Sequence, residues 1–223
     1  MNAFIQNFLN LDILKQIWPL LLEGFWMTLK LSVLAIPLAA ALGLLLAVAQ
    51  GSSSRVVRAL VIGYVDIFRS IPPLVLLIFI FYALPFLGVK LPDFVAAVLA
   101  LVLNGSSYFA EIFRAGLEAV PQGQHEAARS TGMTWWQSMS NVIIPQGIRN
   151  VLPDLVSNTL ELAKQTSIAS AVALQELLRS AQIAQGVTYN ATPLIAAALI
   201  YFLMFWPFVR LVSRMHDRQL KPH

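Results

Sequence analysis

Apolar residues fall in five long blocks along the chain, separated by short polar stretches. The blocks cover residues 20–48, 56–86, 94–120, 151–172 and 191–212. Each is about as long as, or longer than, the roughly 20 residues that a helix needs to cross the hydrocarbon core of a bilayer. The pattern therefore predicts an all-α membrane protein with about five transmembrane helices.

The composition excludes most other classes of protein. Of the 223 residues, 58% are hydrophobic and only 12% are charged, which is unlike a soluble domain. Cysteine is absent, and the three histidines are scattered at positions 125, 216 and 223, so we expect no disulfide framework and no metal site. A basic soluble domain is also lacking, and we therefore expect the excess positive charge to serve topology and lipid contact rather than nucleic-acid binding.

Basic residues lie mostly beside the ends of the blocks that would face the cytoplasm. The opposite ends carry only Lys15, Lys90 and Arg179, with Lys30 just inside the first block. The positive-inside rule then predicts a periplasmic N-terminus and a cytoplasmic C-terminus, as an odd number of helices requires. The residues assigned to the cytoplasmic side are Arg55, Arg58, Arg129, Arg149, Arg210, Arg214, Arg218 and Lys221.

The chain divides into three segments on the same pattern. Residues 1–19 form an amphipathic lead-in without the basic start and small-residue cleavage site of a signal peptide. Residues 20–215 form the transmembrane domain, and residues 216–223 form a short cytoplasmic tail. The first apolar block is expected to act as the membrane-insertion signal.

The loop over residues 121–145 has its own structural signals. A short helix is predicted up to Thr131, with Gly132 as a left-handed cap, and Thr134 with Gln137 forms a capping box for a second helix. That second helix has apolar residues at helical spacing, namely Trp135, Trp136, Met139, Val142 and Ile143. Two interpretations stay open: the hairpin rests in the lipid headgroups, or it docks a soluble partner.

Several motifs resemble one protein family. Glu126-Ala127-Ala128, then Gly132, then the ending at Pro145, is similar to the EAA loop in permease subunits of ATP-binding cassette (ABC) importers. Residues 24–32, 64–72, 108–124 and 164–167 resemble the branch that takes up polar amino acids, which includes the histidine, glutamine, arginine, glutamate and opine permeases. The resemblance runs in order from about residue 20 to residue 215.

The resemblance implies a type I ABC importer permease in a bacterial inner membrane. Its expected partners are two ABC ATPase subunits, a second permease that is identical or related, a periplasmic amino-acid-binding protein and the lipid bilayer. None of the five lysines is followed by Ser or Thr, so this chain has no P-loop, and ATP and Mg²⁺ would be bound by the partner ATPase. The expected coupling residues are Glu126, Ala127, Ala128, Gly132, Ile144 and Pro145.

Polar residues inside the apolar blocks indicate where a substrate could pass. Counted from the cytoplasmic ends at about 1.5 Å per residue, three blocks place polar groups about 10–18 Å deep. Such groups, and interruptions such as 71–73, 104–108 and 161–167, commonly line transport sites. The candidate substrate-binding residues are Arg69, Ile71, Pro72, Ser106, Tyr108, Arg114, Glu161, Gln165, Thr166 and Ser167.

An amino acid needs a cation for its carboxylate and an acceptor for its ammonium group. Arg69 or Arg114 could supply the cation, and Glu161 the acceptor. Intrahelical pairs are the alternative, because Arg69 lies three residues after Asp66 and Glu161 lies three before Lys164. Arg114 could likewise pair within its helix, since Glu111 lies three residues before it and Glu118 four after it. The hydroxyl residues among the candidates could equally be packing residues between helices.

One position departs from the family pattern. Members commonly carry Lys-Asp-Thr-Ser where this chain has Lys164-Gln165-Thr166-Ser167, which weakens an expectation of cationic substrates. The alternative function is a secondary transporter or channel subunit without an ATPase, but it predicts inverted repeats that the sequence does not show. A membrane-embedded enzyme would need converging acids or histidines within the spans, and no catalytic residue is predicted.

Overall fold

The computed structural model describes residues 6–219, with side chains described as far as residue 215. The described chain is mostly helical and comprises α1 (Leu11–Gln50), α2 (Arg55–Ser70), α3 (Pro73–Ile78), α4 (Asp93–Glu118), α5 (Gln122–Ser130), α6 (Trp135–Ser138), α7 (Ile144–Asn150), α8 (Leu152–Gln165), α9 (Leu177–Thr188) and α10 (Thr192–Gln219). Short 3₁₀ or π turns cover Phe79–Ala83, Leu84–Leu87, Met139–Ile143 and Thr166–Val172. The predicted all-α fold is confirmed.

Three described helices are long and apolar enough to cross a membrane: Gln6–Gln50, Asp93–Glu118 and Thr192–Met215. A fourth span results when Arg55–Ser70 and Pro73–Leu87 are counted as one bent pair. The predicted span over 151–172 is not among these helices, because α8 has only 14 residues and three of them are charged, namely Asp154, Glu161 and Lys164.

 

The block over 151–172 was apolar on average, but these charges and the short helix keep it below the length and hydropathy of a span. The chain then continues as the 3₁₀ turn Thr166–Val172. The predicted interruption at 161–167 therefore corresponds to a change of helix type, whereas the predicted interruption at 104–108 is wrong, because α4 runs through it unbroken.

The chain forms two compact units. The first comprises residues up to 36, 72–101 and from 160 onward, and the second comprises residues 37–71 and 102–159. Three of the four boundaries fall inside α1, α4 and α8, so each of these helices contributes to both units, and the fourth lies between α2 and α3. The predicted division into lead-in, transmembrane domain and tail stays a prediction; α1 already begins at Leu11, and residues 1–5 and 220–223 lie outside the described residues.

In the first unit, α1, α9 and α10 pack around an apolar cluster. Its buried members include Leu21 of α1, Leu177 of α9 and Ala197 of α10. Gly24 permits close approach of α1 to α9, because a Cβ at this position would overlap the Ser180 hydroxyl and the backbone of Glu176 and Leu177. Helix α9 was not predicted from the sequence, because a 12-residue helix with several polar residues gives no membrane-span signal.

In the second unit, α2 packs against α1 and α4. Val61 and Val65 of α2 form a buried cluster with Ala110 of α4, and Leu46 of α1 packs against it. The Ser54 hydroxyl caps the start of α2 by accepting a hydrogen bond from the Val57 N–H. This packing brings Tyr64 and Arg69 of α2 within contact distance of α4.

Candidate functional site

The end of α2 is fixed by an amide side chain from α4. Ile71 adopts an extended conformation, as expected for a residue before proline. Pro72 has no N–H, so the carbonyl of Phe68 loses the donor that a continuing helix would supply. The Asn104 Nδ2 group replaces that donor at 2.8 Å, and it also lies 3.4 Å from the carbonyl oxygen of Ile71.

A second polar contact joins the same two helices. The Tyr64 hydroxyl lies 2.8 Å from the Ser106 hydroxyl and 3.3 Å from the carbonyl oxygen of Leu103. Ser106 is fully buried and also donates to the Leu103 carbonyl. Through these hydrogen bonds, the candidate substrate residue Ser106 is paired with Tyr64 of α2 in this structure.

Four charged residues of α2 and α4 form a group that we call the α2–α4 charge cluster: Arg69, Glu111, Arg114 and Glu118. Arg114 donates from Nε and Nη2 to the two oxygens of Glu111 at 3.2 and 2.9 Å, and from Nη1 to Glu118 at 2.8 Å. Arg69 pairs with Glu111 at 3.7 Å rather than with Asp66 one turn earlier in its own helix. The interpretation of Arg69 as half of an Asp66 pair is therefore wrong, while the intrahelical pairing of Arg114 is confirmed.

Tyr108 completes the surroundings of Arg69. The Arg69 guanidinium lies over the Tyr108 ring, 5.4 Å from its centre, within the range of a cation–π contact. The Arg69 side chain is 42% exposed and Tyr108 is also exposed. Of the candidate residues in the second unit, the structure thus brings Arg69, Tyr108 and Arg114 into one group through Glu111.

The remaining candidates lie in the first unit. Glu161 and Lys164 form an exposed ion pair of 2.6 Å, which confirms the predicted intrahelical pair. Thr166 is fully buried and donates to the Ala163 carbonyl, whereas Ser167 donates to the carbonyl of Lys164. Gln165 is half-buried at the point where α8 passes into the 3₁₀ turn, and Pro72 is exposed.

A buried polar network in the first unit was not predicted. The Glu176 carboxylate accepts from the Leu178 and Arg179 N–H groups at 2.9 and 2.7 Å, and from the Tyr201 hydroxyl at 2.8 Å. Thr28 of α1 accepts from the Leu177 N–H at 3.2 Å. Burial raises the pKa of the Glu176 carboxyl, and these hydrogen bonds oppose that shift.

The signal that could have revealed this network is an acidic residue directly before an apolar run. Glu176 precedes Leu177 and Leu178, and an acidic side chain at that position can cap a helix and complement its dipole. Tyr201 and Thr28 gave no comparable signal, because their contacts join residues that are distant in sequence.

The loop over 121–145 forms the predicted hairpin of short helices. Gly132 has φ +83°, and Thr134 and Gln137 form both hydrogen bonds of the capping box. Ala128 is buried at 5% exposure, while Glu126, Ala127, Gly132 and Pro145 are exposed. The apolar face is only partly as predicted: Ile143 is buried, but Trp135 and Trp136 are 47% and 70% exposed.

Residues 39–221 match the family model described as binding-protein-dependent transport system inner membrane component. The chain belongs to this family. A protein of Rickettsia bellii that is named as a glutamine transport system permease protein is 34% identical to this chain. The match covers 90% of this chain and 92% of that protein. The arginine transport system permease protein ArtQ of Bacillus subtilis is 34% identical over 91% of this chain and 93% of its own length.

Solved structures agree with this family assignment. A chain in the crystal structure of an amino acid ABC transporter with histidines has 40% identity and a TM-score of 0.82, covering 94% of this chain and all of that chain. An inward-facing form of the MetNI methionine ABC transporter has 24% identity and a TM-score of 0.68, covering 88% of this chain and 96% of that chain, and shows the shared fold.

Membership of the binding-protein-dependent family confirms the predicted class. The chain is a membrane permease subunit, not an enzyme, and it works within a transport system that includes a binding protein. The predicted type I ABC importer permease fold is likewise confirmed.

Proposed function

We propose that this permease subunit imports polar amino acids, or compounds derived from them, across a bacterial inner membrane. The observation that carries the proposal is the exposed Arg69 guanidinium over Tyr108, in a chain whose relatives include proteins named for glutamine and arginine transport. A guanidinium can bind the α-carboxylate that all such substrates share through two parallel hydrogen bonds.

Arg69 is a better carboxylate ligand than Arg114. Arg114 already makes three hydrogen bonds to Glu111 and Glu118, whereas among the described residues Arg69 has only a 3.7 Å ion pair and its contact with the Tyr108 ring. Binding a substrate through Arg114 would require breaking shorter contacts. We therefore assign the carboxylate to Arg69 and regard Arg114 as a residue that holds the cluster together.

For the first unit, taken by itself, we propose Glu161 as a group that can accept hydrogen bonds from an ammonium group. Its side chain is 61% exposed, and its partner Lys164 is 45% exposed. Gln165 and Ser167 offer neutral polar groups next to that pair in the sequence. The carbonyl oxygens of Ile71 and Pro72 are less available as ligands, because they already accept from Asn104 Nδ2 at 3.4 Å and from the Leu76 N–H at 3.1 Å. The burial of Ser106 and Thr166 favours packing roles for these two residues.

The hairpin is proposed to couple the permease to ATP hydrolysis. Two ATPase subunits, which bind ATP and Mg²⁺, would contact the exposed residues Glu126, Ala127, Gly132 and Pro145, supported by Ala128 and Ile144. A second permease subunit and a periplasmic binding protein would complete the assembly. The N-terminus would then lie in the periplasm and the C-terminus in the cytoplasm, and transport would proceed by alternating access.

Substitution of Arg69 tests the substrate assignment. In proteoliposomes containing the permease, its ATPase and its binding protein, Arg69→Gln should reduce ATP-driven uptake of labelled L-glutamine or L-arginine at least about tenfold, the effect of losing one charge-assisted hydrogen bond. Arg58→Gln is the matched control, because Arg58 lies on the same helix and is exposed. Equal uptake by Arg69→Gln and Arg58→Gln would contradict the assignment.

Substitution of Gly132 tests the coupling role. Gly132→Pro forces φ to about −65° at a residue with φ +83°, so the turn between α5 and α6 must change. We expect loss of ATPase co-purification and of uptake, with membrane insertion unchanged, and Glu126→Lys should act similarly. Gly123→Ala is the control, because a Cβ there meets nothing within 4 Å. Normal ATPase association of Gly132→Pro would contradict the role of the hairpin.

A further inference from the structure

Glu111 lies between the two arginines of the α2–α4 charge cluster. One of its oxygens, Oε2, is 2.9 Å from Nη2 of Arg114 and 3.7 Å from Nη1 of Arg69. Its other oxygen accepts from Nε of Arg114 at 3.2 Å. A single carboxylate therefore faces two guanidinium groups, one on its own helix and one on α2.

The two contacts differ in strength. Arg114 holds Glu111 with the two-bond geometry that suits a guanidinium and a carboxylate. The distance to Arg69 exceeds that of a hydrogen bond, and within the part of the chain that the structure describes no hydrogen bond involves the Arg69 guanidinium. The Arg69 contact is thus the one that an incoming carboxylate can replace.

Release of Arg69 leaves Glu111 with a partner. Breaking an ion pair is costly chiefly when it leaves a charge without compensation. Glu111 keeps its two hydrogen bonds to Arg114, and Arg114 keeps its bond to Glu118 at 2.8 Å. The exchange of one carboxylate for another at Arg69 therefore leaves every charge of the cluster paired.

We propose that Glu111 is a resident counter-ion, which holds Arg69 over the Tyr108 ring before substrate arrives and is displaced from Arg69 by the substrate's carboxylate. Glu111 is in this sense a positioning residue that competes with substrate. The inference rests on the proposed role of Arg69 and adds a competitor to it.

Equilibrium binding tests this competition directly. Labelled L-glutamine and L-arginine are the probes, added to the detergent-solubilised permease–ATPase complex without the binding protein. Removing the competitor in Glu111→Gln should tighten binding roughly two- to fivefold, the range expected for an exposed ion pair. Glu118→Gln is the matched control, because it removes a carboxylate from Arg114 without touching Arg69, and its affinity should stay at the wild-type value.

Two further variants separate the outcomes. In the double variant Arg69→Gln with Glu111→Gln the gain should vanish; a gain that persists would assign the binding to Arg114 and overturn the proposal. Weaker or unchanged binding by Glu111→Gln would also overturn it, since a purely structural residue gives no gain.

If Glu111→Gln fails to assemble, Glu111→Asp keeps the charge for Arg114 and shortens the reach to Arg69, and unchanged binding by that variant overturns the proposal. Failure of the proposed function is distinct, because the single variant Arg69→Gln would then bind and transport normally.

Discussion

Two carboxylates of this protein, Glu176 and Glu111, have opposite surroundings. Glu176 is fully buried and accepts three hydrogen bonds of 2.7–2.9 Å, from two backbone N–H groups and the Tyr201 hydroxyl. Glu111 is 26% exposed and divides its oxygens between a close Arg114 and a more distant Arg69. The first carboxylate is saturated by fixed donors, whereas the second has one partner that can leave.

This contrast predicts different roles for the two acidic residues. A buried carboxylate is costly to leave unpaired, so the donors around Glu176 must stay in place together. An exposed ion pair contributes little to stability and can exchange partners at small cost. We therefore expect substitutions at Glu176 to affect stability and substitutions at Glu111 to affect binding.

The largest expected effect is on stability, at Glu176. Glu176→Ala leaves the N–H groups of Leu178 and Arg179 and the Tyr201 hydroxyl without their acceptor, and should lower the free energy of unfolding by about 2–4 kcal/mol. The measurement is the unfolding midpoint of the purified complex in detergent. Glu161→Ala is the control, because that carboxylate is exposed and should change stability by less than about 1 kcal/mol.

Similar midpoints for Glu176→Ala and Glu161→Ala would break the comparison. They would mean that water or another group satisfies the start of α9 equally well when the carboxylate is removed. A large loss confined to Glu176→Ala would instead support the distinction between saturated and exchangeable carboxylates.

The apolar pattern predicted the class of fold well and individual helices less well. Long apolar runs correctly predicted the three spans α1, α4 and α10, and also the bent pair that starts at α2. They did so because the hydrophobic effect acts on every residue of a span. The span predicted over 151–172 was not found, since average hydrophobicity concealed the charged residues of α8. Helix α9 was missed because its main stabilising feature is a cap, not an apolar run.

For the polar residues, the sequence pattern predicted contacts within a helix but not contacts between helices. Helical spacing predicted the contacts of Arg114 and of Glu161, which lie within one helix. It could not predict that Arg69 contacts Glu111, because these residues are 42 positions apart and meet only when α2 packs on α4. Contacts between helices depend on packing, and a single sequence carries little information about them.

Asn104 provides a test with a smaller expected effect on stability. It separates the effect of burying an amide side chain from the effect of its hydrogen bond. Its amide is buried and donates to the Phe68 carbonyl, yet its Oδ1 atom has no partner among the described residues. Asn104→Leu removes the donor that replaces the missing N–H of Pro72, and should cost about 1 kcal/mol, as is usual for one hydrogen bond between membrane helices. The unfolding midpoint in detergent measures this loss.

Asn158→Leu is the matched control for Asn104→Leu. The Nδ2 atom of Asn158 is buried without a hydrogen-bond partner in the described chain, so the same replacement removes no donated hydrogen bond there. We expect its midpoint to equal or exceed that of the wild type, because removing an unpaired polar group lifts a desolvation cost. If both variants lose the same stability, burial alone governs these amides; if only Asn104→Leu loses stability, the hydrogen bond to the broken end of α2 is the cause.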